Sequence, residues 1–186
     1  MRKSFQYRLY PSAHQAECLT WTLVRTRELY NAALQERRDA WCAQHVKISF
    51  SSQSAQLPEI KQARPEYNQV YAQVLQEVLH RVDRAFQAFF RRCRAGQKPG
   101  YPRFRSKERY DSFTYPQVGG HGLALDFCQG RLRLPGIGAV KIKLHRPVGG
   151  DTKALTVKRV CGRWYAIFSC VVEAQPLPAS DRTVGI

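Results

Sequence analysis

Acidic residues are scarce in this chain, and so are long apolar runs and closely spaced cysteines. Fourteen Asp and Glu stand against 30 Lys and Arg, giving a formal charge of +16. That balance points away from cationic or neutral partners and towards polyanions. The longest apolar stretch, Tyr165 to Val172, is far shorter than the ~20 residues that a membrane span needs. Met1-Arg2-Lys3 leads into Ser4, Gln6 and Arg8 rather than an apolar signal core, so the expectation is a cytoplasmic, soluble protein without a membrane partner. The six cysteines form no C-x-x-C pair and no complete zinc-knuckle pattern with the histidines. Separate reduced thiols are expected, with no metal or disulfide framework.

Catalytic constellations are also missing. His14, His45, His80, His121 and His145 are scattered, no paired carboxylates stand at helical spacing in a plausible cleft, and no glycine-rich phosphate loop precedes a helix. Gly119-Gly120-His121-Gly122 reads as a turn between strands. The residues of this chain support binding rather than catalysis, with no small-molecule substrate and no cofactor.

What is present is a core-forming composition, 44% hydrophobic and 11% aromatic, which argues against wholesale disorder. Charge is uneven: residues 1–90 carry net +4 and residues 91–186 net +12, and 21 of the 30 cations are Arg, whose fork suits phosphate.

The first stretch, Arg2 to Tyr10, alternates in the period of a strand with one buried face, and Pro11 ends it. Ser12 with Gln15 reads as a capping box. Behind it Ala16, Leu19, Leu23, Tyr30, Leu34 and Trp41 mark one long helix, or two broken near Val24 to Arg27. Lys47 to Arg64 is polar and limited by Pro58 and Pro65, so a connecting loop with one short helix is expected. From Tyr67 to Arg94 the period is helical, with Val70, Val74, Val78, Val82, Phe86, Phe89 and Cys93 on one stripe and Leu75, Leu79 and Phe90 beside it.

After Gly96 the apolar period shortens to two. Candidate strands are 112–117, 123–127, 131–134, 139–144, 154–160 and 164–173, with turns at Gln129-Gly130 and Cys161-Gly162-Arg163. The first strand has no neighbour among the helices and would complete this set. The expected fold class is α+β, a small antiparallel β-barrel (1–10 and 96–175) interrupted by an inserted helical bundle (11–95). Residues 176–186 read as a stiff Pro176-Leu177-Pro178 linker and the opening of a further strand, as if the chain were cut at a domain boundary.

The most informative segment runs from Arg91 to Tyr110, with eight cations and one acid. Arg91, Arg92, Arg94, Lys98, Arg103, Arg105 and Lys107 are interleaved with Tyr101 and Phe104, and Pro99 and Pro102 stiffen the backbone. Cations neutralise phosphates with counterion release, and exposed rings stack on bases.

Five motifs in order carry a resemblance. Tyr7-Arg8-Leu9-Tyr10-Pro11, Tyr30-Asn31, Ala85 to Arg92, Gly100 to Arg105, and Arg131 to Pro135 with Gly138 resemble the N-terminal half of the TnpB (OrfB-type) proteins of insertion sequences, RNA-guided DNA nucleases related to the type V CRISPR effectors. The resemblance implies a wedge-like barrel and a recognition bundle that together hold a guide RNA scaffold and target DNA. It places candidate readers of a target-adjacent motif at Phe50, Ser54, Gln76, Thr114 and Tyr115, and adds Tyr7 and Arg8 to the contacts. A family Lys is Ala72 here and a family Asn is Tyr115, so the preferred motif is expected to differ. It also implies that the RuvC-like acids, their divalent metals and a zinc ribbon belong downstream of Ile186, in a nuclease half that would act with this one, in trans if supplied separately. The alternative is a stand-alone DNA-binding regulator or transposase accessory protein that reads duplex DNA through a helix-turn-helix-like element, without guide RNA.

Overall fold

The computed structural model describes residues 1–118, 124–126 and 129–173. Its elements are β1 (Arg2–Tyr10), α1 (Ala13–Gln44), α2 (Phe50–Ala55), α3 (Leu57–Ala63), a 3-10 turn (Pro65–Gln69), α4 (Ala72–Arg94), β2 (Ser112–Tyr115), β3 (Ala124–Asp126), β4 (Arg131–Leu134), β5 (Gly138–Lys143), β6 (Asp151–Val160) and β7 (Arg163–Val171). The fold is α+β. The expected linker and further strand at 176–186 lie outside the described residues, as does the Gly119–Gly122 turn.

The capping box forms as expected: Ser12 Oγ accepts from the Gln15 amide, and the Gln15 side chain accepts from the Ser12 amide. The helix behind it is continuous through Val24–Arg27. No Gly or Pro interrupts it, and the threonines on its buried side satisfy themselves within the helix. Thr22 Oγ1 donates to the Cys18 carbonyl at 2.9 Å, and Thr26 Oγ1 to that of Thr22 at 2.8 Å.

The polar stretch after α1 contains two short helices rather than one. Ser49 caps α2 through a second capping box with Ser52. The Ser/Gln composition that suggests a loop instead serves a buried polar knot. Gln53 is 2% exposed and donates to the Ala33 carbonyl and to Glu36, while its Oε1 accepts from Arg37 Nε at 2.8 Å. Arg37 in turn donates to Asp83 on α4 at 3.0 Å. An unpaired buried charge is costly, so this knot ties α1, α2 and α4 in one arrangement.

The second long helix starts at Ala72, five residues later than Tyr67, because Pro65 opens a 3-10 turn and Tyr71 is extended. Val74, Val78, Val82 and Phe86 are buried as the stripe predicts, each worth about 1.5–3 kcal/mol of apolar burial. The stripe outruns its cover: Phe89 is only partly buried, and Phe90 and Cys93 are exposed.

The strands form one antiparallel sheet in the order β2-β6-β7-β1-β5-β4-β3. The N-terminal strand is central. It pairs with β7 from Arg2↔Val171 to Leu9↔Trp164 and with β5 at Arg8↔Lys143. Tyr7, Leu9, Leu132, Leu134, Val140, Ile142, Leu155, Val157 and Phe168 fill the concave side. The Cys161-Gly162 turn of the β6–β7 hairpin has both φ angles positive, 46° and 74°, as a tight primed turn requires. The expected barrel is a curled half-barrel: among the described residues β2 and β3 are edges that do not pair with each other. The helices meet it at the β2 edge, where α4 and α1 both pack.

Candidate nucleic-acid interface

The basic segment leaves α4 at Arg91, Arg92 and Arg94, where cations are favoured by the helix C-terminal dipole. Beyond it the chain has no regular secondary structure until β2, yet three contacts fix it. The Tyr101 ring packs edge-on against Phe86 and Phe89, with centroids at 5.6 and 5.3 Å. Asn31 hydrogen-bonds both backbone groups of Arg105. Tyr110 is buried beside Tyr30 and under the Arg81 guanidinium, and burial raises its hydroxyl pKa. Along this anchored segment Lys98, Arg103, Phe104, Arg105 and Lys107 are exposed. Among the described residues none of the segment's cations enters an ion pair. Glu108, the one acid, has its pKa lowered by its own backbone amide and by Ser106. The segment is a preorganised comb of cations with an exposed ring at Phe104.

A second surface lies where α2 meets α4. Phe50 stacks on His80 at 3.7 Å and 16°. Gln76 is exposed one turn before His80 on α4, and Ser54 is half-buried one turn after Phe50 on α2. Thr114 is joined to this region through Arg81, which donates to its Oγ1 at 3.1 Å; it also shares a 2.8 Å hydrogen bond with Thr156. In the sequence His80 is one of five scattered histidines. Its i+4 spacing from Gln76 was the only hint that it shares a face with that residue.

Two predicted contact residues are placed elsewhere. Tyr115 is 1% exposed; its hydroxyl donates to the Pro135 carbonyl and burial raises its pKa. Tyr7 is 1% exposed, with its ring against Phe168 and His145 and its hydroxyl donating to the Arg146 carbonyl. Strand alternation turns both towards the core, and they are packing residues in this fold rather than surface contacts.

Arg8 faces the other way and reveals a third surface. On the convex side of the sheet Arg8 stands opposite Lys143, and Lys141 stands between Tyr10 and Arg131. The Arg8 guanidinium lies 5.0 Å from the Tyr10 ring centroid. Like charges directly across strands repel, so an arrangement without intervening acids is one that an anion would relieve. Arg131, Lys141 and Lys143 are exposed on alternating strand positions, and register brings them beside Arg8.

Among the described residues no cluster of three or more His, Cys, Asp or Glu is arranged to hold a metal ion, and no helix is long and apolar enough to cross a membrane.

Residues 1–45 match the OrfB family model described as a helix-turn-helix domain, although here they form β1 and the unbroken α1. A putative RNA-guided DNA endonuclease of Streptomyces pristinaespiralis is 30% identical over 193 residues, covering 100% of this chain and 46% of that protein. The putative RNA-guided DNA endonuclease InsQ of Escherichia coli K12 is 28% identical over 187 residues, covering 99% of this chain and 44% of its own. The chain thus spans a little under half the length of these relatives. In fold it is similar to a protein chain of a cryo-EM Cas12f1–sgRNA–target DNA complex, with a TM-score of 0.53 at 15% identity, over 94% of this chain and 49% of that one. The family-model match over residues 1–45 and the two relatives that align along the whole chain show its similarity to the TnpB (OrfB-type) family, while the Cas12f1 likeness shows the fold alone.

Proposed function

We propose that this chain is the nucleic-acid-binding portion of an RNA-guided DNA endonuclease, with cleavage carried by a nuclease half that it serves. The observation that carries this reading is the anchored comb from Arg91 to Lys107, whose cations have no ion-pair partners among the described residues. Arg91, Arg92, Arg94, Lys98, Arg103, Arg105 and Lys107 hold the phosphates of a guide RNA, and Arg8 with the convex face of the half-barrel supplies a second grip. Phe50, Ser54, Gln76 and Thr114 face the DNA beside the target, where the Gln76 amide offers both a donor and an acceptor to an adenine edge. The helix-turn-helix alternative draws no support from α1, which runs 32 residues without a turn.

The test is RNA binding by the intact chain as a function of salt, with Arg103→Ala/Arg105→Ala as the variant. Each phosphate contact contributes roughly 0.7–0.9 to the slope of log affinity against log salt. The variant is expected to bind more weakly and with a shallower slope. An unchanged slope would remove these arginines from the interface. RNA co-purifying with the chain from its host, mapped by sequencing, separates a guide from random polyanion.

A further inference from the structure

The apolar stripe of α4 continues past the bundle into a cavity of about 720 Å3 between the ends of α1 and α4. Phe86 and Arg37, each 8% exposed, lie deepest among its lining residues. Trp41, Phe89, Phe90 and Tyr101 line it too, and three of them are unusually open for aromatic side chains: Trp41 is 46%, Phe90 49% and Tyr101 44% exposed. Arg37 Nε and Nη1 are taken by Gln53 and Asp83, but Nη2 is buried without a hydrogen-bond partner. Lys47 and Arg94 also line the cavity, and Arg38 is close enough to act electrostatically on the Tyr101 hydroxyl. Its one acid, Asp83, is neutralised by Arg37.

We propose that this cavity receives an unstacked base of a single-stranded nucleic acid, with the flanking phosphates held by Lys47 and Arg94. Aromatic walls supply stacking faces for any base, and a cationic rim selects a polyanion. An apolar peptide segment would use the walls but not the rim. A duplex keeps its bases stacked and cannot insert one without unpairing it. This assignment rests on the reading of the chain as a nucleic-acid binder and adds that part of the strand is held as single strand at the tip of the bundle.

The experiment compares a fluorescein-labelled uridine dodecamer with a blunt RNA duplex of equal length, both titrated with the full chain. Trp41→Ala/Phe90→Ala removes two exposed rings, so its thermal midpoint is expected to stay close to that of the unmodified chain. Its affinity for the dodecamer is expected to fall roughly tenfold or more, with duplex affinity and salt slope unchanged. Phe90→Tyr, which keeps the stacking face, is expected to retain dodecamer binding. Equal dodecamer binding by the double variant, or an equal loss for the duplex, overturns the proposal. So does a change in oligomeric state with dodecamer binding intact, which would assign the cavity to a second copy of the chain. If the unmodified chain binds neither probe, the broader nucleic-acid reading fails. If the Arg103→Ala/Arg105→Ala chain alone loses binding, that reading stands and only the cavity assignment falls.

Discussion

Asn31 on α1 grips the backbone of Arg105 from both sides, donating to its carbonyl at 3.0 Å and accepting from its amide at 2.8 Å. A neutral side chain thereby sets the position of a cationic loop. Asn31→Ala is expected to cost about 1–2 kcal/mol, the worth of two modest hydrogen bonds. It should also weaken RNA binding by loosening the comb while leaving the salt slope intact, since no charge is lost. Fluorescence anisotropy at several salt concentrations checks this, and a shallower slope would mean that the arginines themselves had left the contact.

Arg81 joins the bundle to the half-barrel with a forked contact, Nη1 to the Ser112 carbonyl at 2.6 Å and Nη2 to Thr114 Oγ1 at 3.1 Å. Lysine cannot reproduce a planar fork. Arg81→Lys is therefore expected to lose about 2 kcal/mol of stability in urea titrations and to speed amide exchange along β2. Wild-type behaviour of the lysine variant would show that apolar packing alone docks α4 on the sheet.

Gly150 has φ of +79°, and a Cβ there would come within 2.3 Å of the Val171 carbonyl oxygen. Backbone cannot retreat as a flexible side chain can, so Gly150→Ala is expected to destabilise by about 2–3 kcal/mol. Gly100, between the two prolines of the basic segment, has nothing within 4 Å of an added Cβ. Gly100→Ala is expected to be neutral or to stabilise by about 0.4–1 kcal/mol through the unfolded chain. Thermal midpoints of the pair decide the contrast; similar losses at both positions would contradict it.

Burial raises the hydroxyl pKa of Tyr115 above the ordinary value of 10.0. The unfolded chain then releases this proton at lower pH than the folded one, so the stabilisation from keeping the hydroxyl neutral is complete below pH 10 and declines as pH rises further. Tyr7, Tyr67 and Tyr110 are raised in the same direction by burial. Tyr115→Phe is expected to lose about 1 kcal/mol at neutral pH with its hydrogen bond to Pro135, and to lose less stability than wild type between neutral and strongly alkaline pH. Urea midpoints across that range are the measurement, and parallel curves would refute the assignment.

Most of the local structure was legible in the sequence because it follows from neighbours a few residues apart. The Ser12–Gln15 capping box, the buried stripe Val74-Val78-Val82-Phe86, the span 131–134 of β4 and the Cys161-Gly162 turn are each set by side-chain period or by a required φ angle. The charge excess and the crowded cations of residues 91–107 were likewise plain, and they are what points to nucleic acid. The sequence by itself thus determined most of the element types, the excess and clustering of positive charge and the motifs that carry the resemblance. It misread the segment around Gln53 as a loop, because the reason that segment is helical is a hydrogen-bonded knot with Arg37 and Asp83, and Asp83 stands 30 residues away in the chain. The resemblance implied Tyr7 and Tyr115 as contacts, and the placement of their strands in the sheet turns both rings to the core. Only the tertiary structure decided that, among the described residues, β2 and β3 are the two edges of the sheet, that Arg8 stands opposite Lys143, and that α4 carries its apolar stripe beyond the bundle into an open cavity. Those features depend on register and packing between distant segments, which local periodicity does not encode.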